Sequence, residues 1–289
     1  MKCNICPRGC DIDRKKAVGV CGCNDMIKLA KACVLDWEEP VISGGQGSGA
    51  IFFSGCNLKC CFCQNYQISH QNWGKEVSIE RFIEIVKELE DKGVNNINLV
   101  SPTQWTQQIK TAFSIYQPSV PIVWNSNGYE LPASIESLAD VVDIFLVDCK
   151  FRDEKLSAQF CKAKDYPVYN SQAIETMLKL KPQVVKKDGV MQSGVIVRHL
   201  IMPNCVMDSI AVLEYLATLK SKYHFFLSLM SQYVPMYRAN EFELINRKIT
   251  PLERKIVIKR ATDLGFEGFM QDLSSADCTY IPQFDLGGI

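Results

Sequence analysis

The chain has 289 residues, 47% of them hydrophobic, with 32 Lys+Arg balanced by 32 Asp+Glu. A chain of this length buries roughly three quarters of its unfolded surface and folds without staples, and a net charge of zero forces no broad basic face for nucleic acid or anionic lipid. No apolar run approaches the roughly 20 residues that span a bilayer, and the start Met1-Lys2-Cys3-Asn4-Ile5 has no apolar signal core, so a cytoplasmic protein is expected.

Residues 1–48 are dense in cysteine and poor in periodicity, which predicts a small Cys-rich extension ahead of a core over residues 49–289. Fourteen cysteines in a reducing compartment point to metal or cluster ligands rather than a disulfide framework. Cys3, Cys6, Cys10 and Cys21 give four thiolates at short spacing, with Cys23 and Cys33 as spares. Four sulfurs close a tetrahedral zinc site or hold a second iron-sulfur cluster, and spacing alone does not choose between these or metal-free thiols. Glu38 and Glu39, before Pro40, read as a solvated acidic turn, with a site-facing pair as the alternative. The run from Gly44 to Gly49 lacks the lysine of a phosphate loop and reads as a flexible turn.

Short apolar runs then alternate with segments of helical period, a pattern of parallel strands joined by crossover helices. Six strands are predicted, at residues 50–53, 96–100, 122–124, 144–147, 194–197 and 225–229. Ser78 caps a helix whose Ile79, Phe82, Ile83, Val86 and Leu89 share a face, with Gly93 as its stop. Thr250-Pro251-Leu252-Glu253 predicts an N-cap, a first-turn proline and a capping-box glutamate, and Gly265 closes that helix. The fold class expected is α/β, an incomplete barrel of six β/α units with chemistry at the carboxyl ends of the strands.

The loop after the first run carries Cys56, Cys60 and Cys63 at the spacing C-x3-C-x2-C. That is a cluster-binding signature: a four-iron cubane needs one thiolate per iron, so three leave one iron open. Cys149, Cys161, Cys205 and Cys278 are scattered and read as ordinary buried thiols. His70, His199 and His224 read as structural or surface groups, although His70 lies close enough to the cysteine loop to reach the site mouth.

With Gly55-Cys56-Asn57-Leu58-Lys59-Cys60 and Cys63-Gln64-Asn65-Tyr66 followed by this strand and helix series, the chain resembles radical S-adenosylmethionine (SAM) enzymes, and among them proteins related to the pyruvate formate-lyase activating enzyme. The resemblance runs from Cys3 to about Gln271. It implies a 4Fe-4S cluster whose open iron is chelated by SAM, an electron from a ferredoxin or flavodoxin, and a 5'-deoxyadenosyl radical that abstracts hydrogen, as from a glycine of a glycyl radical enzyme.

Site residues follow from the same resemblance. Phe62 takes the place where the family packs adenine, and Asp148 and Lys150 resemble an Asp-x-Lys that holds the cofactor end of the site. Arg198, five residues before Pro203, is matched to an arginine that pairs with the methionine carboxylate. Ser101 stands in Val100-Ser101-Pro102-Thr103, where the family has Gly-Gly-Glu, so hydroxyls and carbonyls replace a carboxylate there. Asn127 belongs to Asn125-Ser126-Asn127-Gly128, similar to an Asp-Thr-x-Gly stretch but with asparagine for aspartate, which weakens the case for a cation site. The competing readings are modification of a small molecule or peptide, and a non-catalytic metal or cluster module that ignores SAM.

Overall fold

The computed structural model describes residues 2–276 and 282–289; Cys278, expected as a buried thiol, lies outside them. In chain order the elements are β1 (Lys28–Leu35), α1 (Pro40–Ser43), β2 (Ser48–Phe53), α2 (Tyr66–Ser69), β3 (Lys75–Glu76), α3 (Ile79–Glu90), β4 (Ile97–Val100), α4 (Thr106–Ile115), β5 (Ile122–Ser126) and α5 (Pro132–Glu136). There follow β6 (Ile144–Asp148), α6 (Glu154–Cys161), α7 (Tyr166–Leu180), β7 (Val185–Lys187), β8 (Val190–Leu200), α8 (Val206–Leu219), β9 (Phe226–Met230), α9 (Pro251–Asp263) and β10 (Gly268–Met270).

The six predicted strands are β2, β4, β5, β6, β8 and β9, parallel and in that order, with helices in the connections. The sheet runs β10-β9-β8-β6-β5-β4-β2-β1-β3 without closing, so the architecture is the expected open α/β barrel. Every residue of β2, β4, β5 and β6 is buried, as strands covered on both faces must be. The helical face of α3, with Phe82, Ile85, Val86 and Leu89, packs outside. Both predicted caps form: Ser78 Oγ accepts from Arg81 N at 3.2 Å, and Thr250 and Glu253 make a complete capping box.

The amino-terminal residues depart from expectation. They do not stand apart as far as residue 48, because β1 pairs antiparallel with β2 and joins the main sheet. Nor is the glycine run simply a turn: Ser48 and Gly49 begin β2, and Gly49 lies where a Cβ would come within 3.1 Å of Asn96 O. Between them α1 enters the barrel from the amino-terminal ends of the strands. Its Val41 and Ile42 pack on Val123, Ile144, Leu146, Ile196 and Phe226, while Asn96 Nδ2 donates to Ile42 O at 2.7 Å. Four residues of helix therefore plug the bottom and leave the upper half of the barrel hollow.

Candidate radical chemistry site

The cysteine loop leaves β2 through Ser54 and Gly55. Gly55 has φ +80, and a Cβ on it would collide with Cys23 Sγ and Cys21 O, so only glycine lets the amino-terminal segment seat against this loop. Cys56 N donates to Cys21 O at 3.4 Å, and Arg8 Nε to Asn57 O at 2.7 Å. Across the loop, Gln104 Nε2 donates to the carbonyls of Ser54, Gly55 and Ser101 within 3.1 Å. Ser101, at the end of β4, holds the left-handed φ of +59, uncommon for a non-glycine residue.

Each of the three motif sulfurs has one polar neighbour. Asn127 Nδ2 donates to Cys56 Sγ at 3.3 Å, Cys60 Sγ and Cys161 Sγ share a contact of 3.3 Å, and Cys63 Sγ and Ser69 Oγ lie 3.2 Å apart. Burial pushes all three thiols up, with the Cys161 contact the largest influence on Cys60, and Cys63 reaches about 12. Thiolates here need a cation against them, which is what cluster irons provide. Among the described residues no three His, Cys, Asp or Glu side chains converge on a single ion. A cubane asks something different, since each thiolate binds its own iron and the sulfurs stand farther apart than around one ion. The donor set fits a cluster.

Above the plug lies a cavity of about 460 Å³. Cys60, Cys63 and Phe62 form its roof; Leu35, Phe52, Leu200 and Met230 its apolar girdle; Asp148, Lys150, Arg198 and Glu38 its polar wall. Phe62 is buried, its ring 6.0 Å from that of Tyr233 and 6.3 Å from that of Phe151. Asp148 receives Lys150 Nζ at 2.6 Å and Arg198 Nε at 3.0 Å. Burial opposes its charge, but Lys150 and Arg198 outweigh that and hold the carboxyl below its ordinary range. The rest of the Arg198 fork is engaged too, by Asn125 Oδ1 at 2.6 Å and Glu38 Oε1 at 3.4 Å. Arg198 thus stands in a web of partners rather than as a free cation.

Of the residues expected to hold the cofactor, Phe62, Asp148, Lys150 and Arg198 line this cavity. Ser101 and Asn127 sit instead beside the cysteine loop, Ser101 through Gln104 and Asn127 through Cys56 and Asn57. The reading of Glu38 and Glu39 as a solvated turn fails: both line the cavity, and Glu38 Oε2 accepts from Asn98 and Asn125. The strand β1 carries them there, which is why a reading that set residues 1–48 apart missed them. Cys161 is buried as expected but touches Cys60. His199 is a satisfied structural histidine, bound by Cys149 O and Ser209 Oγ. His70 stops short of the cavity and bonds Ser69 Oγ behind Cys63.

The amino-terminal thiols gather against the same loop without forming a four-ligand set around one ion. Cys6 feels the charge of Cys21 and Cys10, and the thiol of Cys23, hydrogen-bonded to Cys21, draws the Cys21 thiol down to about 6.

Comparison with known proteins bears on the family and the fold. A relative, the uncharacterized protein MJ0674 of Methanocaldococcus jannaschii, is 29% identical over 260 residues, covering 86% of this chain and 70% of that protein. Among solved structures, Streptococcus suis SuiB bound to S-adenosylmethionine superposes with TM-score 0.50 at 14% identity, over 76% of this chain and 46% of that one. This chain therefore spans less than half of SuiB. A radical SAM methyltransferase from Sphaerobacter thermophilus gives TM-score 0.50 at 15% identity, over 79% and 69% of the two chains. At such identities the likeness is one of fold. The model of the radical SAM superfamily matches residues 50–227, from the strand before the three cysteines to the strand across the barrel from them, and the chain belongs to that superfamily.

Proposed function

We propose that this protein is an enzyme that reductively cleaves SAM and uses the resulting radical to abstract hydrogen from a substrate held in the barrel. The observation that carries this reading is the placement of Cys60 and Cys63 in the lining of a cavity whose wall offers Asp148, Lys150 and Arg198. When bound, a 4Fe-4S cluster held by Cys56, Cys60 and Cys63 supplies one electron to SAM, giving methionine and a 5'-deoxyadenosyl radical. The chain's own contribution is positioning and exclusion. Phe62, wedged between Phe151 and Tyr233, offers a flat apolar face to adenine, and the Asp148–Lys150–Arg198 web offers both signs of charge to the zwitterionic methionine end. Ser101, after β4, and Asn127, after β5, act from beside the cysteine loop. Reduction of a sulfonium requires a low-potential donor, so a ferredoxin or flavodoxin is the partner we assign.

Two substrate readings remain in play. The string from Gly55 to Cys60 supports an activating-enzyme-like oxidoreductase acting on a glycine of a partner protein. The charged cavity of about 460 Å³ supports a small molecule or peptide side chain. Cys3, Cys6, Cys10 and Cys21, which do not surround a single ion as placed here, are proposed as a second metal site, zinc or an auxiliary cluster, that would gather them on binding, and the approach of Cys21 to the Cys56 backbone is the feature that ties it to the first. Anaerobically reconstituted protein, given dithionite and SAM, should release 5'-deoxyadenosine; an intact cluster with no release would favour a non-catalytic module. Deuterium transfer into deoxyadenosine from a labelled partner glycine separates the two substrates, and iron and zinc counts decide the second site.

A further inference from the structure

The wall charges leave one group over. Among the described residues the cavity is lined by three carboxylates, Glu38, Glu39 and Asp148, and by two cations, Lys150 and Arg198. Asp148 takes both cations, and Glu38 takes the remaining edge of Arg198. Glu39 makes no ion pair among the described residues. It is only 8% exposed, its Oε2 has no hydrogen-bond partner there, and it lines the cavity above α1. A buried carboxylate oxygen without a partner is costly unless something arrives to meet it. Behind Glu38, outside the cavity lining, the fully buried Asn98 donates its Nδ2 to Glu38 Oε2. The orphaned Glu39 oxygen is an acceptor once its carboxyl is ionised, which a bound cation favours. Burial, then the neighbouring Glu38, pushes the Glu39 carboxyl up to about 7.

From the unmatched carboxyl oxygen at the cavity lining, the geometry points to a substrate subsite for a hydrogen-bond-donating organic cation, an alkylammonium or guanidinium head group, held by Glu39 with Glu38. The girdle of Leu35, Phe52, Leu200 and Met230 then receives an apolar stem, and the far end of the molecule reaches the cysteine roof. The substrate class is accordingly an amine or guanidine with an aliphatic stem, free or as a basic side chain. This rests on the reading of the cavity as the chamber where substrate meets cofactor, but it concerns the floor, away from the cysteines. A cation there meets a Glu38 carboxylate already fixed by Asn98 and Asn125, so little reorganisation of that group opposes binding.

The test uses full-length protein, anaerobically reconstituted and saturated with SAM, titrated with n-butylammonium chloride and with neutral 1-butanol of similar size, followed by saturation-transfer NMR. We expect n-butylammonium to bind at least about tenfold more tightly than butanol, and Glu39→Gln and Glu38→Gln each to remove about that factor. Glutamate-carboxyl 13C labelling of the unsubstituted protein gives a readout free of folding effects: the Glu38 and Glu39 signals should move on adding the cation. Equal binding of amine and alcohol, undiminished binding by Glu39→Gln, or unmoved carboxyl signals would each overturn the inference. SAM cleavage by the same unsubstituted sample is read separately. Cleavage without cation binding sinks the subsite alone, whereas absence of cleavage sinks the enzymatic reading and leaves the titration interpretable.

Discussion

Cys161 Sγ lies 3.3 Å from Cys60 Sγ with both thiols buried, so a cysteine 101 positions along the chain sits against a motif sulfur. When Cys60 is a thiolate, the Cys161 S–H can donate to it, and hydrogen bonds to ligand sulfurs raise a cluster's potential by stabilising the added electron. Cys161→Ala should therefore retain iron but move the cluster midpoint to more negative potential in an EPR-monitored titration. Ser69→Ala, beside Cys63, should act in the same direction. Midpoints matching the unsubstituted protein would show that these neighbours do not act on the cluster.

Ligand identity separates Cys60 from Cys61. The Cys61 backbone is tied to Phe160 and Arg238, and its thiol is buried in the core cluster. We expect Cys60→Ala to abolish both cluster and SAM cleavage, and Cys61→Ala to keep both at a stability cost of about 1 kcal/mol. Iron analysis and deoxyadenosine release on the two variants decide it, and a reversed pattern would refute the assignment.

Beneath the Asn127 loop a buried carboxylate organises the strand ends. Glu130 Oε1 accepts from Thr103 Oγ1 and Trp124 Nε1, each at 2.9 Å, and its Oε2 accepts from Ser126 Oγ at 2.6 Å. Glu130→Ala orphans three donors at once and should destabilise the protein by about 2–4 kcal/mol in urea unfolding. Thr103→Val, which removes only one donor, should cost about 1 kcal/mol.

The α9 cap gives a pH signature. The Arg247 guanidinium beside Glu253, with the Asn204 and Thr250 donors, draws that carboxyl down from 4.5 to about 2. Its folded value is depressed, so its stabilisation is present above about pH 4.5 and lost as pH falls toward 2. Glu253→Gln should be less stable by about 1 kcal/mol at pH 7. The gap should close across that acid window in chemical denaturation curves taken at stepped pH.

The barrel was legible because its strands are buried on both faces and read as continuous apolar runs, and because Ser78 and Thr250 mark helix starts by local chemistry. The cysteine loop was legible because its three cysteines lie close together in sequence. What escaped was non-local. Glu38 and Glu39 reach the cavity only because β1 adds to the edge of β2, and Cys161 meets Cys60 only through the packing of α6 on the loop. One missed feature had a signal: Asp188-Gly189, with φ of +52 and +82, is the tight turn joining β7 to β8.

The sheet's two outer ends differ in how they are held. Between β1 and β10 no strand ladder is made among the described residues; the tail instead lays Leu286 and Gly287 along β1 with two backbone bonds and sets Phe284 against Phe52. Everywhere else around the barrel, widening the wall means tearing a ladder apart, but at this seam it means peeling off a few contacts. The cysteine loop leaves β2 one strand in from this seam, with β2 laddered to β1 on one side and β4 on the other.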